Sequence, residues 1–188
     1  MLELIIRGRG GQGAQTAGAL LAGAFFAEGK EVQAFATYGG ARRGTPVSSY
    51  IRVDDNPIRR RCDIEKPDGI LCFDPHLLDQ NLLRGVTRET PIVVNTSSSP
   101  EHFKTLGDFR IYTIDAFKIA GDNGLGRFIN SALLGAFTLV LDAPAIETMI
   151  KIIADSAPVK QEQNANACRA GYNLMREFQK QFINEVAV

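Results

Sequence analysis

The sequence predicts an α/β fold in a single domain, with a mostly parallel open sheet flanked by helices. Two observations predict it. Within the first 38 residues, an apolar run of strand length, a glycine-rich turn, a helical segment rich in Ala and Leu and a second apolar run follow one another. That order is typical of a β-α-β unit. Farther along, short apolar runs keep alternating with helical segments, and the last third of the chain has a helical pattern.

The first elements are predicted as a strand at residues 2–7, a helix at 12–28 and a strand at 32–38. Gly29 is placed to end the helix. Residues 47–53 and 58–62 then read as two strands joined by a turn at 54–57, which predicts an inserted β-hairpin at the sheet edge. Arginines at 59–61 would suit an exposed edge, where charge discourages strand addition.

Alternation then resumes and indicates a Rossmann-like sheet. We predict strands at 69–73, 91–94 and 109–114, with a short helix at 76–83 and another at 116–120. The helical C-terminal part comprises segments at 128–141 and 144–154 and a last helix that follows the polar segment 160–166 and runs to about residue 186. The 188 residues fit one domain, 1–188.

Composition excludes several classes of protein. Lys and Arg number 21, as do Asp and Glu, so a dedicated nucleic-acid binder is not expected. No apolar stretch is long enough for a membrane span, and the N-terminus does not look like a secretory signal, so the cytoplasm is the expected compartment. The three cysteines form no C-x-x-C pair and the two histidines no ligand motif. We therefore expect no metal site within this chain.

The strongest local motif joins the first strand to the first helix. It reads Gly8-Arg9-Gly10-Gly11-Gln12-Gly13 and fits G-x-G-x-x-G. Glycines there permit a sharp turn and let a ligand approach the backbone N–H groups of a helix N-terminus. Three interpretations stay open: a tight turn with close packing, a contact with an anion or a partner, and a dinucleotide site. The acidic residue that usually ends the second strand of an NAD site is missing.

A second motif follows the second predicted strand. Residues 38–46 contain Gly44, Thr45 and the adjacent arginines Arg42 and Arg43. The loop should lie on the same side of the sheet as the first motif, and forked guanidinium donors suit phosphate or carboxylate groups. The alternative is an ordinary exposed turn.

Polar residues end three predicted strands, namely Asp74, Asn95 and Asp115. Ligands gather at that edge of open α/β sheets, but helix capping and turn formation explain such residues equally simply. His76 is interpreted as an ordinary helix-start histidine. Cys62 and Cys72 are interpreted as packed thiols, because the sequence supplies no base to activate them. We therefore assign no catalytic residue to this chain.

The two glycine-rich motifs resemble those of a known family. Residues 7–14 and 38–46 are similar to the gamma subunits, or equivalent domains, of 2-oxoacid:acceptor oxidoreductases, of which the pyruvate:ferredoxin enzymes are the best known. The resemblance extends over nearly the whole chain, through residues 66–68, Asn130, 134–136, Asn164, Ala167 and 171–172.

The resemblance implies that this chain is one subunit of a larger complex and is inactive on its own. The enzymes of this family decarboxylate a 2-oxoacid oxidatively to an acyl-CoA and pass electrons to ferredoxin or an NAD-linked acceptor. Thiamine diphosphate, Mg²⁺ and [4Fe-4S] clusters would belong to alpha, beta and delta-type partner subunits. The resemblance also implies that the gamma part helps to bind coenzyme A. The phosphates of coenzyme A would then contact residues of the two motifs, namely Gly8, Arg9, Gly10, Gly11, Gln12, Gly13, Arg42, Arg43, Gly44 and Thr45.

Alternatives to this assignment remain. The arginine loop could hold the alpha chain instead of coenzyme A. The chain could also be a free-standing dinucleotide-binding oxidoreductase that uses the Gly8–Gly13 loop, or an assembly module without a ligand. The sequence does not indicate which 2-oxoacid, which electron acceptor or which subunit stoichiometry applies.

Overall fold

The computed structural model describes residues 1–40 and 44–186, with side chains up to residue 180. Among these residues, all six strands lie within residues 2–114 with one α-helix among them, and four more α-helices follow. In chain order they are β1 (Leu2–Arg9), α1 (Ala14–Ala27), β2 (Glu31–Tyr38), β3 (Pro46–Asp54), β4 (Gly69–Cys72), β5 (Pro91–Asn95), β6 (Arg110–Ile114), α2 (Ala116–Asp122), α3 (Asn130–Leu141), α4 (Ile146–Ser156) and α5 (Gln161–Val186).

The strands form one sheet in the order β2-β3-β1-β4-β5-β6. The pairs β1–β4, β4–β5 and β5–β6 are parallel, whereas β3 runs antiparallel to both of its neighbours, β1 and β2. The mostly parallel α/β sheet predicted from the sequence is therefore confirmed. The β-α-β start is confirmed as well, except that a third strand separates its two strands.

The predicted hairpin is wrong in its second strand. Residues 58–62 are not a strand, and the hairpin is instead formed by β2 and β3. The physical reason is that β1 and β2 already pair with both edges of β3, so β3 has no free edge with which residues 58–62 could pair. The turn chemistry at 54–57 is present, because the backbone N–H of Asn56 donates to the Asp54 carboxylate at 3.0 Å.

The larger hydrophobic core lies between one face of the sheet and the helices. Leu4, Ile6, Ile51 and Leu71 on the strands pack with α1 and with Phe137 of α3. The helices α3 and α5 cross very closely, with Gly135 of α3 against the backbone of α5. Small residues allow this approach, as the sequence of α3 indicates.

The opposite face of the sheet is covered by turns and short 3-10 helices rather than by α-helices. Its core contains Ile5, Ile70, Ile92 and Phe103. The helix predicted at 76–83 is present only as a single 3-10 turn, Pro75–Leu77. The Asp79 side chain accepts hydrogen bonds from the next backbone N–H groups, those of residues 81 and 82, and so favours a turn over a continuing helix.

Among residues 1–40 and 44–186, no helix has both the length and the apolar character needed to cross a membrane.

Candidate functional site

The candidate site lies at the carboxyl edge of the sheet, where β1 and β4 end side by side. From β1 the chain continues through α1 to β2 and β3, which lie on one side of β1 in the sheet. From β4 it continues to β5 and β6, which lie on the other side. This change of direction opens a crevice, and in open α/β sheets ligands bind at such a point. The Gly8–Gly13 segment begins in the last two residues of β1 there, and Asp74 comes shortly after β4.

The two glycine-rich motifs meet at this edge. The backbone N–H of Gly10 donates to the Thr45 carbonyl at 2.9 Å, and the N–H of Gly44 donates to the Gly10 carbonyl at 3.1 Å. The prediction that both loops lie on the same side of the sheet is therefore confirmed for their described residues. We call the surface formed by residues 8–13, 44 and 45 the glycine rim.

An ion pair fixes Arg9 in the glycine rim. Its Nε donates to Asp74 Oδ2 at 2.5 Å, and Nη1 donates to the Gly44 carbonyl at 3.3 Å. The Arg9 side chain is 37% exposed. Its backbone N–H donates to the side-chain oxygen of Gln12 at 2.7 Å. Arg9 thus links the first motif to the second and to the end of β4, while Nη2 makes no hydrogen bond to the described residues.

Two glycines of the rim are required by packing. A Cβ on Gly8 would lie 2.9 Å from the Cβ of Ala14, and one on Gly13 would lie 2.6 Å from the side-chain amide of Asn130. Asn130 Nδ2 also donates to the Gly13 carbonyl at 3.2 Å. The structure thus supports the tight-turn interpretation for Gly8 and Gly13, and it shows why an asparagine stands at the start of α3.

The N-terminus of α1 has two features of an anion-binding helix end. Gly13 precedes the helix with a φ of 91°, and no side chain caps it. No acidic residue lies in the first turn of α1. Exposed N–H groups and the helix dipole at such an end favour negative charge. Tight packing and anion binding are therefore compatible at this loop.

The strand-end residues mainly form caps and turns. Asp74 accepts from the backbone N–H of His76 at 3.0 Å, and Asp115 accepts from that of Lys118 at 2.9 Å. The Asn95 side chain connects the end of β4 to the start of α2. Its Nδ2 donates to the Phe73 carbonyl, and its Oδ1 accepts from the Ala116 N–H, each at 3.1 Å. Partial burial raises the pKa of Asp74, but hydrogen bonds from Arg9 and His76 outweigh it and hold that pKa below its ordinary value.

The cysteines offer no obvious nucleophile. Cys72 and Cys168 are buried, and burial raises the pKa of each thiol to about 12. The prediction of a packed thiol is therefore confirmed for Cys72 and wrong for Cys62, which is exposed because residues 58–62 form no strand. No group of three His, Cys, Asp or Glu residues in the described part of the chain is arranged to hold a metal ion.

Two predicted site residues cannot be placed here, and one contact of the site was not predicted. Arg42 and Arg43 lie outside the described residues. Sequence reasoning placed Arg9 at the site without finding its partner. The signal for that partner was the parallel pairing of Arg7 with Cys72, which two residues farther on brings Arg9 beside Asp74.

The strand order weakens the dinucleotide interpretation. In a nucleotide-binding β-α-β unit, the second strand lies beside the first, and its terminal acid reaches the ribose. Here β3 lies between β1 and β2, and it runs in the opposite direction. The strand β2 ends at Tyr38, which carries no acid.

The sequence matches a family model described as pyruvate ferredoxin/flavodoxin oxidoreductase over residues 3–174. The chain belongs to this family. It is 41% identical to a pyruvate synthase subunit PorC of Methanothermobacter thermautotrophicus over 92% of this chain and 94% of the relative. The common gamma subunit of pyruvate/ketoisovalerate oxidoreductases of Pyrococcus furiosus is 37% identical over 95% of this chain and all of the relative. The predicted resemblance to gamma subunits of this family is confirmed.

Solved structures agree with this assignment. The pyruvate oxidoreductase subunit PORC of Thermotoga maritima has a TM-score of 0.82 and 31% identity, over 92% of this chain and 95% of that one. A 2-oxoglutarate:ferredoxin oxidoreductase of Magnetococcus marinus, solved with 2-oxoglutarate, coenzyme A and succinyl-CoA bound, has a TM-score of 0.78 and 21% identity. The match covers 94% of this chain and 31% of the larger one, and it shows the fold alone.

Proposed function

We propose that this chain is the gamma subunit of a multi-subunit, thiamine diphosphate-dependent 2-oxoacid:acceptor oxidoreductase and that its glycine rim contributes to the binding of coenzyme A. The observation that carries the proposal is the union of the two glycine-rich loops beside an uncapped helix N-terminus. Coenzyme A bears several phosphate charges, and backbone N–H groups at a helix start are suited to receive one. The Magnetococcus neighbour, which shares this fold, was solved with coenzyme A.

The pairing of Arg9 with Asp74 shapes its role in this proposal. Asp74 compensates much of the Arg9 charge, so Arg9 is not a free cation waiting for a phosphate. It holds the rim in place and still offers its Nη2 hydrogens to a ligand oxygen. Arg42 and Arg43 remain proposed donors to the ligand from the same loop. The ligand would therefore meet backbone donors of the rim together with arginine donors.

The redox chemistry is assigned to partners. Thiamine diphosphate, Mg²⁺ and [4Fe-4S] clusters are proposed for the alpha, beta and delta-type subunits, with ferredoxin or an NAD-linked acceptor receiving electrons from them, and the complex is proposed to work in the cytoplasm. The Pyrococcus relative is named as common to pyruvate and ketoisovalerate oxidoreductases. By analogy we infer that the 2-oxoacid is selected by partner subunits and not by this chain.

The test uses the assembled complex with variants of this chain. We expect Arg9→Gln to raise the KM for coenzyme A by about tenfold, because one charge-assisted contact is lost. The KM for the 2-oxoacid should stay unchanged. The double variant Arg42→Ala, Arg43→Ala should act in the same direction. Arg88→Gln serves as the control. Arg88 is exposed and precedes β5, at the edge of the sheet opposite the glycine rim.

Two outcomes would contradict the role in coenzyme A binding. One is an unchanged KM for coenzyme A with normal assembly. The other is a complex that dissociates when Arg42 and Arg43 are replaced, since this would assign the arginine loop to the alpha chain. Binding to the purified chain separates the remaining alternatives. A ligand at about 100 times its Kd stabilises by about 2.7 kcal/mol, so coenzyme A should raise the melting temperature and NAD should not.

A further inference from the structure

A cleft of about 560 Å³ opens on the face of the sheet that the turns cover. Its floor is built from neighbouring strands, with Arg7 of β1 paired to Ser48 of β3 and Ile5 paired to Tyr50. Its walls are residues 63–66 together with Asn81, Leu82, Arg84 and Gly85. No residue of the glycine rim lines it. The volume falls within the range of small-molecule sites, and nothing in the proposed function uses it.

The polar group at the floor of this cleft is an arginine without a counter-charge. Nη1 of Arg7 donates to the Ser48 hydroxyl, and this is the side chain's single hydrogen bond to the described residues. Its Nε is buried and makes no hydrogen bond to them. No carboxylate among them forms an ion pair with Arg7. A partly buried cation is costly to leave without a counter-charge, so an anion that reaches the remaining Nη hydrogens from outside this chain would be favoured.

The mouth of the cleft adds further charge. Lys66 and Arg84 line it and form no ion pair with the described residues, and Asp63 and Glu65 also line it. Together with Arg7, the cations outnumber the carboxylates by one. Apolar surface comes from the floor and from Leu82. This combination suits a ligand with one anionic head and an apolar body better than a highly charged one.

The walls of the cleft are held in place. Gly85 has a φ of 82°, and a Cβ there would overlap the backbone of Glu65, whose carbonyl carbon would lie only 3.3 Å away. The two walls therefore touch backbone to backbone. Thr90 secures the first wall by donating to the Pro67 carbonyl at 3.3 Å. A cleft formed in advance loses less conformational entropy when it binds a ligand.

We propose that this cleft binds a small organic oxyanion, a carboxylate or phosphate attached to an apolar group, through the guanidinium of Arg7. The free hydrogens of the two Nη atoms supply the donors, with Ser48 holding the guanidinium in place. Tyr50 and Ile5 contact the apolar body. The site is separate from the glycine rim, so it neither requires nor excludes a role of that rim in coenzyme A binding.

The test is an NMR titration of the full, ¹⁵N-labelled chain that follows the Nε–H resonance of Arg7. The probes are benzoate, phenyl phosphate and inorganic phosphate at constant ionic strength. We expect a saturable shift of that resonance with benzoate or phenyl phosphate, and the tighter of the two identifies the anionic head. Inorganic phosphate should bind at least about threefold more weakly, because it lacks the apolar body.

Matched variants complete the test. Arg7→Met should weaken binding by at least about tenfold, whereas Arg88→Met, which removes an equal charge from an exposed position, should leave the affinity within about twofold. Should Arg7→Met fail to fold, Lys66→Met, at the exposed mouth, should weaken binding about two- to fivefold through the loss of one nearby charge.

Three results would overturn the proposal. The first is a lack of saturation up to about 50 mM of either organic probe, which is too weak for a specific site of this size. The second is a set of shifts confined to the backbone of residues 8–13. The third concerns the assembled complex, in which protection of Lys66 from acetylation without any added oxyanion would show that a partner chain fills the cleft.

Discussion

Adding one methyl group to Gly135 should destabilise the protein, whereas the same addition to Gly23 should stabilise it. A Cβ on Gly135 would lie 2.8 Å from the carbonyl carbon of Cys168 and still closer to its oxygen. Carbon atoms prefer about 3.5–4.0 Å, so α3 and α5 would have to move apart by roughly 1 Å. The obstacle is helical backbone and cannot rotate away. A Cβ on Gly23 would meet only Ile152, at an ordinary 3.6 Å.

The magnitudes follow from these distances. Overpacking costs about 1–3 kcal/mol, and the backbone obstacle places Gly135→Ala near the upper end. The higher helix propensity of alanine returns about 1 kcal/mol. The net loss of about 2 kcal/mol corresponds to a melting temperature lower by about 4–8 °C for a chain of this length. Gly23→Ala keeps the propensity gain and should melt about 1–4 °C higher.

The assay is thermal unfolding followed by circular dichroism, with urea unfolding of each variant to give the free energy. Gly171→Ala provides an independent check on the same crossing, because its Cβ would lie 2.9 Å from the carbonyl carbon of Ala132. If Gly135→Ala melts within about 1 °C of the wild type, the close approach of α3 and α5 is not what requires glycine there, and the reasoning is refuted.

Two further predictions concern titratable groups. Burial raises the pKa of Cys72 and Cys168 to about 12, so iodoacetamide at pH 8 should add one label per folded chain, on Cys62, and three after unfolding; native labelling of Cys72 at the same rate would contradict this. The folded-state pKa of Asp74 is lowered, so its stabilising effect is present above the unfolded-state pKa and is lost as the pH falls through the folded-state pKa. Asp74→Asn should therefore cost about 1 kcal/mol at pH 7, discounted for the exposure of Arg9, and progressively less as the pH falls below the unfolded-state pKa of about 3.9, as measured by urea unfolding. A constant difference at all pH values would exclude the pairing as its cause.

Local pattern was sufficient to predict much of this fold. Strand-length apolar runs and the cap at Gly29 predicted β1, α1 and β2, because those signals act within a few residues. The position of β3 between β1 and β2 depends on pairing across distant parts of the chain, and no local pattern reports it. The error at residues 58–62 followed from that, and so did the incorrect expectation that Cys62 is packed.

The position of the candidate site was predicted from the sequence, but its side-chain contacts were not. Glycine-rich turns after β1 and β2 predicted two loops at one edge, and hydrogen bonds between Gly10, Gly44 and Thr45 confirm it. The contact from Arg9 to Asp74 needed the register of two strands that lie far apart in sequence. Arg7 was noted only as part of the motif 7–14, because the lack of an ion pair at an arginine can be recognised only when its surroundings are known.

Arg7 and Arg9 lie on the same strand, two residues apart, and so leave the sheet on the same side. Their guanidinium groups repel each other, and the fold compensates only one of them. Arg9 has the Asp74 carboxylate, whereas Arg7 has the neutral hydroxyl of Ser48. An anion bound at Arg7 would relieve this repulsion without disturbing the pair at Arg9. The two sites can therefore be separated by experiment: loss of Asp74 should affect coenzyme A binding in the complex and leave the oxyanion affinity of the cleft close to that of the wild type.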